Sequence, residues 1–289
     1  MATRSVRGTI RHRLLAGPRQ AYHTALDSLD TPPHVADDPI DAPWIAAVHY
    51  DGGDRSDHFT GLGVVIAPDW VLTCAHLFCP ALDQPHTGEP PTAEKTFHVR
   101  IGDPRLFTGK RHTIAERIEN GYLPAIGTPD ARKNRAKPSA DLALLRLTEP
   151  TDVPPARLLA GPISEGTALT CLGWPDGHHG PGLLTQVNTT TITRKAALGG
   201  LIKSDEFCAA NVPAPASMSN GYSGGAARLV PGTAEDAPPP VVGLLSRGAD
   251  IGDDTISWPA IIVDLTSHRE FIEATTGVTF LTAERTADL

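Results

Sequence analysis

Apolar and β-branched residues fall in short blocks along this chain, at 44–50, 59–66 and 70–73, separated by Asp51-Gly52-Gly53-Asp54 and Ala67-Pro68-Asp69. Blocks this short, bounded by Gly, Pro and Asp, are too brief for helices and read as strands joined by turns, here a β-meander. Further strands are predicted at 97–101 and 111–119 and, after Pro154, at 168–172 and 186–193. One stretch near the end breaks the pattern. From Asp264 or Thr266 to about Thr275 the apolar spacing fits a helix, with Thr266 or Ser267 as N-cap and Gly277 as stop. Residues 27–43 mix Asp, Pro and His and read as a linker into a first strand at Trp44, with an appendage before it.

Composition supports this reading. At 289 residues the chain can bury a sizeable core, and with 27 Gly, 27 Pro and only 5% aromatics it is turn-rich, as many short strands require. The formal charge of -8 argues against an electrostatic nucleic-acid footprint, so peptides or proteins are the expected partners. No apolar run has membrane-spanning length, and the start, with Arg4, Arg7, Arg11 and Arg13, lacks the apolar core of a secretory signal. It reads as a short helix or flexible arm. Cys74, Cys79, Cys171 and Cys208 form no staple pattern and match no metal-ligand spacing, and reduced thiols in the cytoplasm fit them best. His178 and His179, adjacent in a Gly- and Pro-rich loop, point apart on extended backbone and are expected to face solvent. The basic stretch 132–138 reads as a solvated face. No metal and no cofactor are implied.

The candidate chemistry lies in three motifs. Ser219-Asn220-Gly221-Tyr222-Ser223-Gly224-Gly225-Ala226 sets one serine among glycines that let the backbone approach a reacting carbonyl. Such a serine needs a base. Val71-Leu72-Thr73-Cys74-Ala75-His76 offers a histidine at the end of an apolar run, and Asp141-Leu142-Ala143-Leu144-Leu145 offers a carboxylate at the head of another.

The ordered set resembles the trypsin-like (chymotrypsin-fold) serine peptidases over roughly residues 40–275, including Gly-x-Ser-Gly-Gly at 221–225 and Gly173-Trp174 after a comparable strand. The resemblance implies an all-β fold of two packed six-stranded antiparallel barrels with a C-terminal helix. It divides the chain into an extension and linker at 1–39, a peptidase domain at 40–275 and a tail at 276–289. It makes His76, Asp141 and Ser223 the catalytic residues of a serine endopeptidase, with the N–H groups of Gly221 and Ser223 as oxyanion donors. Its substrate-binding positions fall on Ser217, Met218, Ser246, Arg247, Gly248 and Ala260. None of these supplies a carboxylate to select Lys or Arg, so apolar or small side chains are expected before the cleaved bond.

Two departures refine this. Relatives activated by cleavage carry Asp before the serine, to pair with a new N-terminal amine, where this chain has Tyr222; no Ile-Val-Gly-Gly start precedes the first strand. The expected type is therefore a bacterial intracellular one that needs no N-terminal processing, with a partner protein or domain as a possible activator. Secreted animal relatives also carry Cys after the histidine, where Leu77 stands here. Two other readings compete. Gly221 to Gly225 also fits the elbow of an α/β-hydrolase esterase, for which Asp253 and His268 supply the required order. A catalytically silent binding or scaffold module could keep the same motifs.

Overall fold

The computed structural model describes residues 20–37, 40–52, 55–79, 95–122, 138–175, 182–194, 202–212, 217–218, 221–230, 238–248 and 258–282. His178, His179, Asp253 and most of the basic stretch lie outside them. Strands dominate, as the short apolar blocks predict. The first six barrel strands are β2 (Ile45–Gly52), β3 (Arg55–Ala67), β4 (Trp70–Thr73), β5 (Thr96–Ile101), β6 (Lys110–Glu119) and β7 (Ala143–Leu147). They close in the order β2-β3-β4-β7-β6-β5, so no edge in this ring is left unpaired. β2 and β4 are buried on both faces, which is why they read as continuous apolar runs rather than alternating ones.

A second ring follows, from β9 (Ala168–Gly173), β10 (Thr185–Ile192), β11 (Glu206–Ala209), β12 (Ala226–Leu229), β13 (Val241–Gly248) and β14 (Ala260–Asp264). Its order is β9-β10-β11-β14-β13-β12, with β12 returning to β9. The protein is thus two closed six-stranded antiparallel barrels with a C-terminal helix, and an α/β-hydrolase sheet is excluded. Between the rings, β8 (Leu159–Ala160) pairs in parallel with β15 (Leu281–Thr282), drawing the residues after the helix back onto the body. Phe280, 1% exposed, joins the apolar cluster there.

The N-terminal region differs from its linker reading. A helical segment α1 (residues 20–27) and a strand β1 (His34–Ala36) precede Trp44. β1 pairs with residues 186–188 of β10, along the edge that β11 uses at 191–192, so the two short strands share one side of β10 end to end. β1 is mostly exposed and carries no apolar pattern. The open backbone edge, not hydrophobicity, explains it. α1 buries Tyr22 against Ile192, Ile202, Cys208, Ala210 and Ile261 on the outside of the second barrel.

At the other end, a 3-10 turn (Leu265–His268) leads into α2 (Arg269–Thr276). Asp264, rather than Thr266 or Ser267, caps the turn by accepting from the Thr266 N–H at 2.9 Å. Gly277 stops α2 in the left-handed conformation at φ 74°.

Candidate active site

His76 sits on a 3-10 turn (Ala75–Phe78) immediately after β4, and Asp141 lies just before β7, which pairs with β4. Antiparallel pairing therefore brings together residues that are 65 positions apart. The His76 Nδ1 and the Asp141 Oδ2 are 2.8 Å apart, and the His76 backbone N–H donates to Oδ1 at 2.8 Å. A third donor to Asp141 comes from the second barrel, the hydroxyl of Ser246. The β13–β14 register shifts between Leu245 and Arg247, so Ser246 occupies a bulge, the device that re-aims a side chain out of a ladder. Burial works to raise the Asp141 carboxyl; the charge of His76 and the hydrogen bonds from His76 and Ser246 outweigh it, and the net direction is down. The carboxylate is nearly enclosed while the His76 side chain keeps 16% of its surface open.

Asp141 is itself held from behind. Ala140, at φ 48°, adopts a left-handed conformation unfavourable for a residue with a Cβ. Buried Asp205 accepts from the backbone N–H groups of Ser139 at 2.7 Å and Ala140 at 2.8 Å, and its Oδ2 lies 3.0 Å from His268 Nε2. Burial pushes the Asp205 carboxyl up, but the His268 bond and the two N–H donors bring it below its usual value. Neither Asp205 nor this role of His268 was legible as a motif, because the contacts span the turn before β11, the α2 entry and the segment before β7.

Ser223 lies where the barrels meet. Its carbonyl accepts from the Leu62 N–H of the first barrel at 2.7 Å, while the Gly224 N–H donates to Leu245 O of the second at 2.7 Å. The glycines are required by this crossing. A Cβ on Gly224 would lie 2.0 Å from Leu62 O, and one on Gly225 would lie 2.2 Å from Leu172 O. Gly221, at φ 83°, directs its carbonyl to the Trp174 N–H at 3.0 Å. Among the described residues no acceptor engages the N–H groups of Gly221 or Ser223. The Ser223 hydroxyl lies 3.4 Å from the carbonyl of Ser246, and among the described residues it has no hydrogen bond to His76.

Tyr222 points away from the cleft. It is 1% exposed, packs with Leu169, Cys171, Val187 and Met218, and needs Gly173 beneath its ring, where a Cβ would meet ring carbons at 2.2 to 2.5 Å. Thus the Gly173-Trp174 pair serves the serine loop from both of its residues.

The six positions assigned to substrate binding are used unevenly. Ser246 commits its hydroxyl to Asp141, and Arg247 forms a two-point ion pair with buried Glu206 at 2.7 and 2.9 Å, rather than standing free. Met218 and Ala260 are enclosed in the second barrel. Gly248 pairs with Ala260 across β13 and β14, and Ser217 bonds Asn211 at 3.2 Å. The four cysteines are all free thiols.

Among the described residues, two groups bring metal-ligand atoms within 4.8 Å of one another. In His49, Asp57 and His98, Arg100 already donates to both Asp57 oxygens, Nε at 2.9 and 3.0 Å and Nη2 at 2.7 Å, so a fixed cation satisfies that carboxylate. The other is Cys74, His76 and Asp141, where Cys74 donates to Leu245 O at 3.3 Å and burial raises its thiol well above the usual range.

Comparison with known proteins agrees with this architecture. A solved structure of neuropsin, a serine protease expressed in the limbic system of mouse brain, superposes with a TM-score of 0.59 at 20% identity, covering 81% of this chain and 94% of that one. The family model for trypsin matches residues 34–272. With that match spanning most of its length, from β1 to within α2, the chain belongs to the trypsin family.

Proposed function

We propose that the protein is a serine endopeptidase that hydrolyses peptide bonds of peptide or protein substrates through His76, Asp141 and Ser223. The observation that carries this reading is the His76–Asp141 pair at the barrel seam. With Nδ1 engaged by the buried carboxylate, Nε2 is the ring nitrogen left to act as base. In the proposed reaction His76 takes the Ser223 proton as Oγ attacks the scissile carbonyl, and Asp141 stabilises the resulting imidazolium. The oxyanion is received by the N–H groups of Gly221 and Ser223. His76 then returns the proton to the leaving amine, and water, activated by the same histidine, releases the acyl group from Ser223. Resting bonds between nucleophile and base are often loose and tighten on substrate binding, which accommodates the resting contact of Ser223 with Ser246.

The same reading includes a site formed without N-terminal processing, because the position before the serine is an apolar-packed Tyr222 with no charge to neutralise. Four unpaired thiols favour a reducing, cytoplasmic setting. With Arg247 paired to Glu206, an apolar or small residue before the cleaved bond remains the preferred substrate.

The test is labelling by a fluorophosphonate probe: the purified protein reacts at Ser223, and Ser223→Ala does not. The second reading, a silent binding module, is favoured by the Ser223 hydroxyl facing Ser246 O at 3.4 Å. Absence of labelling in an intact, folded preparation would select it.

A further inference from the structure

We infer that Tyr22 on α1 is a positioning residue for the Ser223 loop, acting through Asn211; this rests on the reading of Ser223 as the nucleophile. Asn211 follows β11 and is 3% exposed. Its side-chain oxygen accepts from the Met218 N–H at 2.8 Å, and its amide nitrogen donates to Trp258 O at 2.8 Å and Ser217 Oγ at 3.2 Å. A primary amide offers two donors and one acceptor group, and here each is engaged. One residue therefore joins the end of β11, the segment entering Gly221 to Ser223, and the chain entering β14.

The backbone N–H of this hub donates to the Tyr22 hydroxyl at 3.0 Å. Among the described residues, that acceptor is the one contribution to the hub from outside the second barrel. Tyr22 is 1% exposed, and its ring is fixed among Ile192, Ile202, Cys208, Ala210 and Ile261, so the hydroxyl is delivered at a set height. A buried N–H must have an acceptor; without Tyr22 the Asn211 backbone must either open toward solvent or lose a bond in place, and each loosens the grip on Met218. Met218 stands three residues before Gly221. Since position 222 carries no carboxylate for an ion pair, docking of α1 is the observed means by which the region ahead of the first barrel braces the segment entering this loop.

Tyr22→Phe removes the acceptor and keeps the ring. Two readouts on the full chain test the inference, at a temperature where the variants are folded by near-UV circular dichroism. In hydrogen exchange followed by mass spectrometry, peptides covering Asn211 and Met218 exchange about tenfold faster in the variant, as loss of one buried hydrogen bond implies. In labelling at saturating fluorophosphonate, the Ser223 rate falls by about the same factor while the half-saturating concentration holds. Asn211→Ala, which leaves Tyr22 seated but removes the three side-chain bonds, moves both readouts further in the same direction. Trimming residues 1–29 lowers labelling, opposite to the gain that a processing-dependent enzyme would show. Unchanged exchange at Asn211 and Met218 in Tyr22→Phe overturns the inference. If the wild type is never labelled, the peptidase reading fails, and exchange alone still decides whether Tyr22 orders this loop.

Discussion

The two barrels bring unequal halves to the cleft. The first supplies His76 and Asp141 from the ends of paired strands inside a ring that closes on itself. The second supplies Ser223 from a loop whose neighbours depend on Ser246 in a bulge, Gly173 under Tyr222, and a helix from the far end of the chain. On the proposed reading the base is thus held by ladder geometry, with its Asp141 partner also braced by Ser246 and Asp205 of the second barrel, and the nucleophile by convergent long-range contacts. It follows that damage to the first half should appear as lost chemistry, and damage to the second as lost order.

Asp141→Asn tests that division most strongly. Asparagine can keep the shape but favours the wrong imidazole tautomer, and peptide hydrolysis should fall by about four orders of magnitude with the fold retained. Because Asp141 also receives Ser246 from the other barrel, the alternative is a mainly bracing role. Steady-state kinetics with urea unfolding separates the two: a rate loss under tenfold accompanied by a large stability loss would break the comparison.

Next in size is Gly224→Ala. Its Cβ would lie 2.0 Å from Leu62 O and 2.7 Å from Thr73 Oγ1 at φ 82°, so the seam itself must part. Gly166 has the same φ of 82° with nothing within 4 Å of its Cβ and serves as the control. We expect about 1 kcal/mol from backbone strain in Gly166→Ala and about 3 kcal/mol or more in Gly224→Ala, read from urea midpoints. Equal losses would mean that the seam is soft.

The same asymmetry explains what the sequence could reveal. Apolar blocks announced most first-barrel strands within a residue or two, since tight turns and β-branched runs are local signals, although β3 begins at Arg55, four residues before its apolar block. The Ser223 glycines were legible as a motif, although the reason for Gly224 and Gly225, two carbonyls from different barrels, appears only in three dimensions. β1 was missed because it is only three residues long and mostly exposed, and its stability comes from a free edge on β10. Asp205, which holds Ser139 and Ala140, and Tyr22, 189 positions from Asn211, leave no trace in any window of sequence.

A smaller effect tests how self-contained the first barrel is. His49 is fully enclosed at its closing hairpin, and burial pushes its ring down to about 4 against the pull of the Asp57 carbonyl and carboxylate. The unfolded chain, titrating near 6.5, therefore binds more protons between the two values, and stability falls as pH drops through that window. The full loss is up to about 3 kcal/mol. Asp57, held down to about 2 despite burial by Arg100 and His98, contributes below that window instead. Urea midpoints at neutral pH and just above pH 4 should show the loss, and His49→Phe, next to the rings of Phe59 and Phe107, should flatten it. An unchanged slope in that variant would move the acid sensitivity elsewhere.

The smallest expected change concerns Tyr222, where the second barrel replaces charge with packing. Its ring fills space above Gly173, but its buried hydroxyl has no partner among the described residues. Leaving such a group unbonded costs about 1–3 kcal/mol, so Tyr222→Phe should be neutral or stabilising by up to about 1 kcal/mol. Its fluorophosphonate labelling rate should match the wild type, because apolar contact rather than the hydroxyl holds the loop. A stable Tyr222→Phe protein with slow labelling would give the hydroxyl a part in shaping the oxyanion donors. In that case the nucleophile's half of the cleft would rest on a polar contact formed only with substrate, and the contrast between the barrels would be one of timing as well as of support.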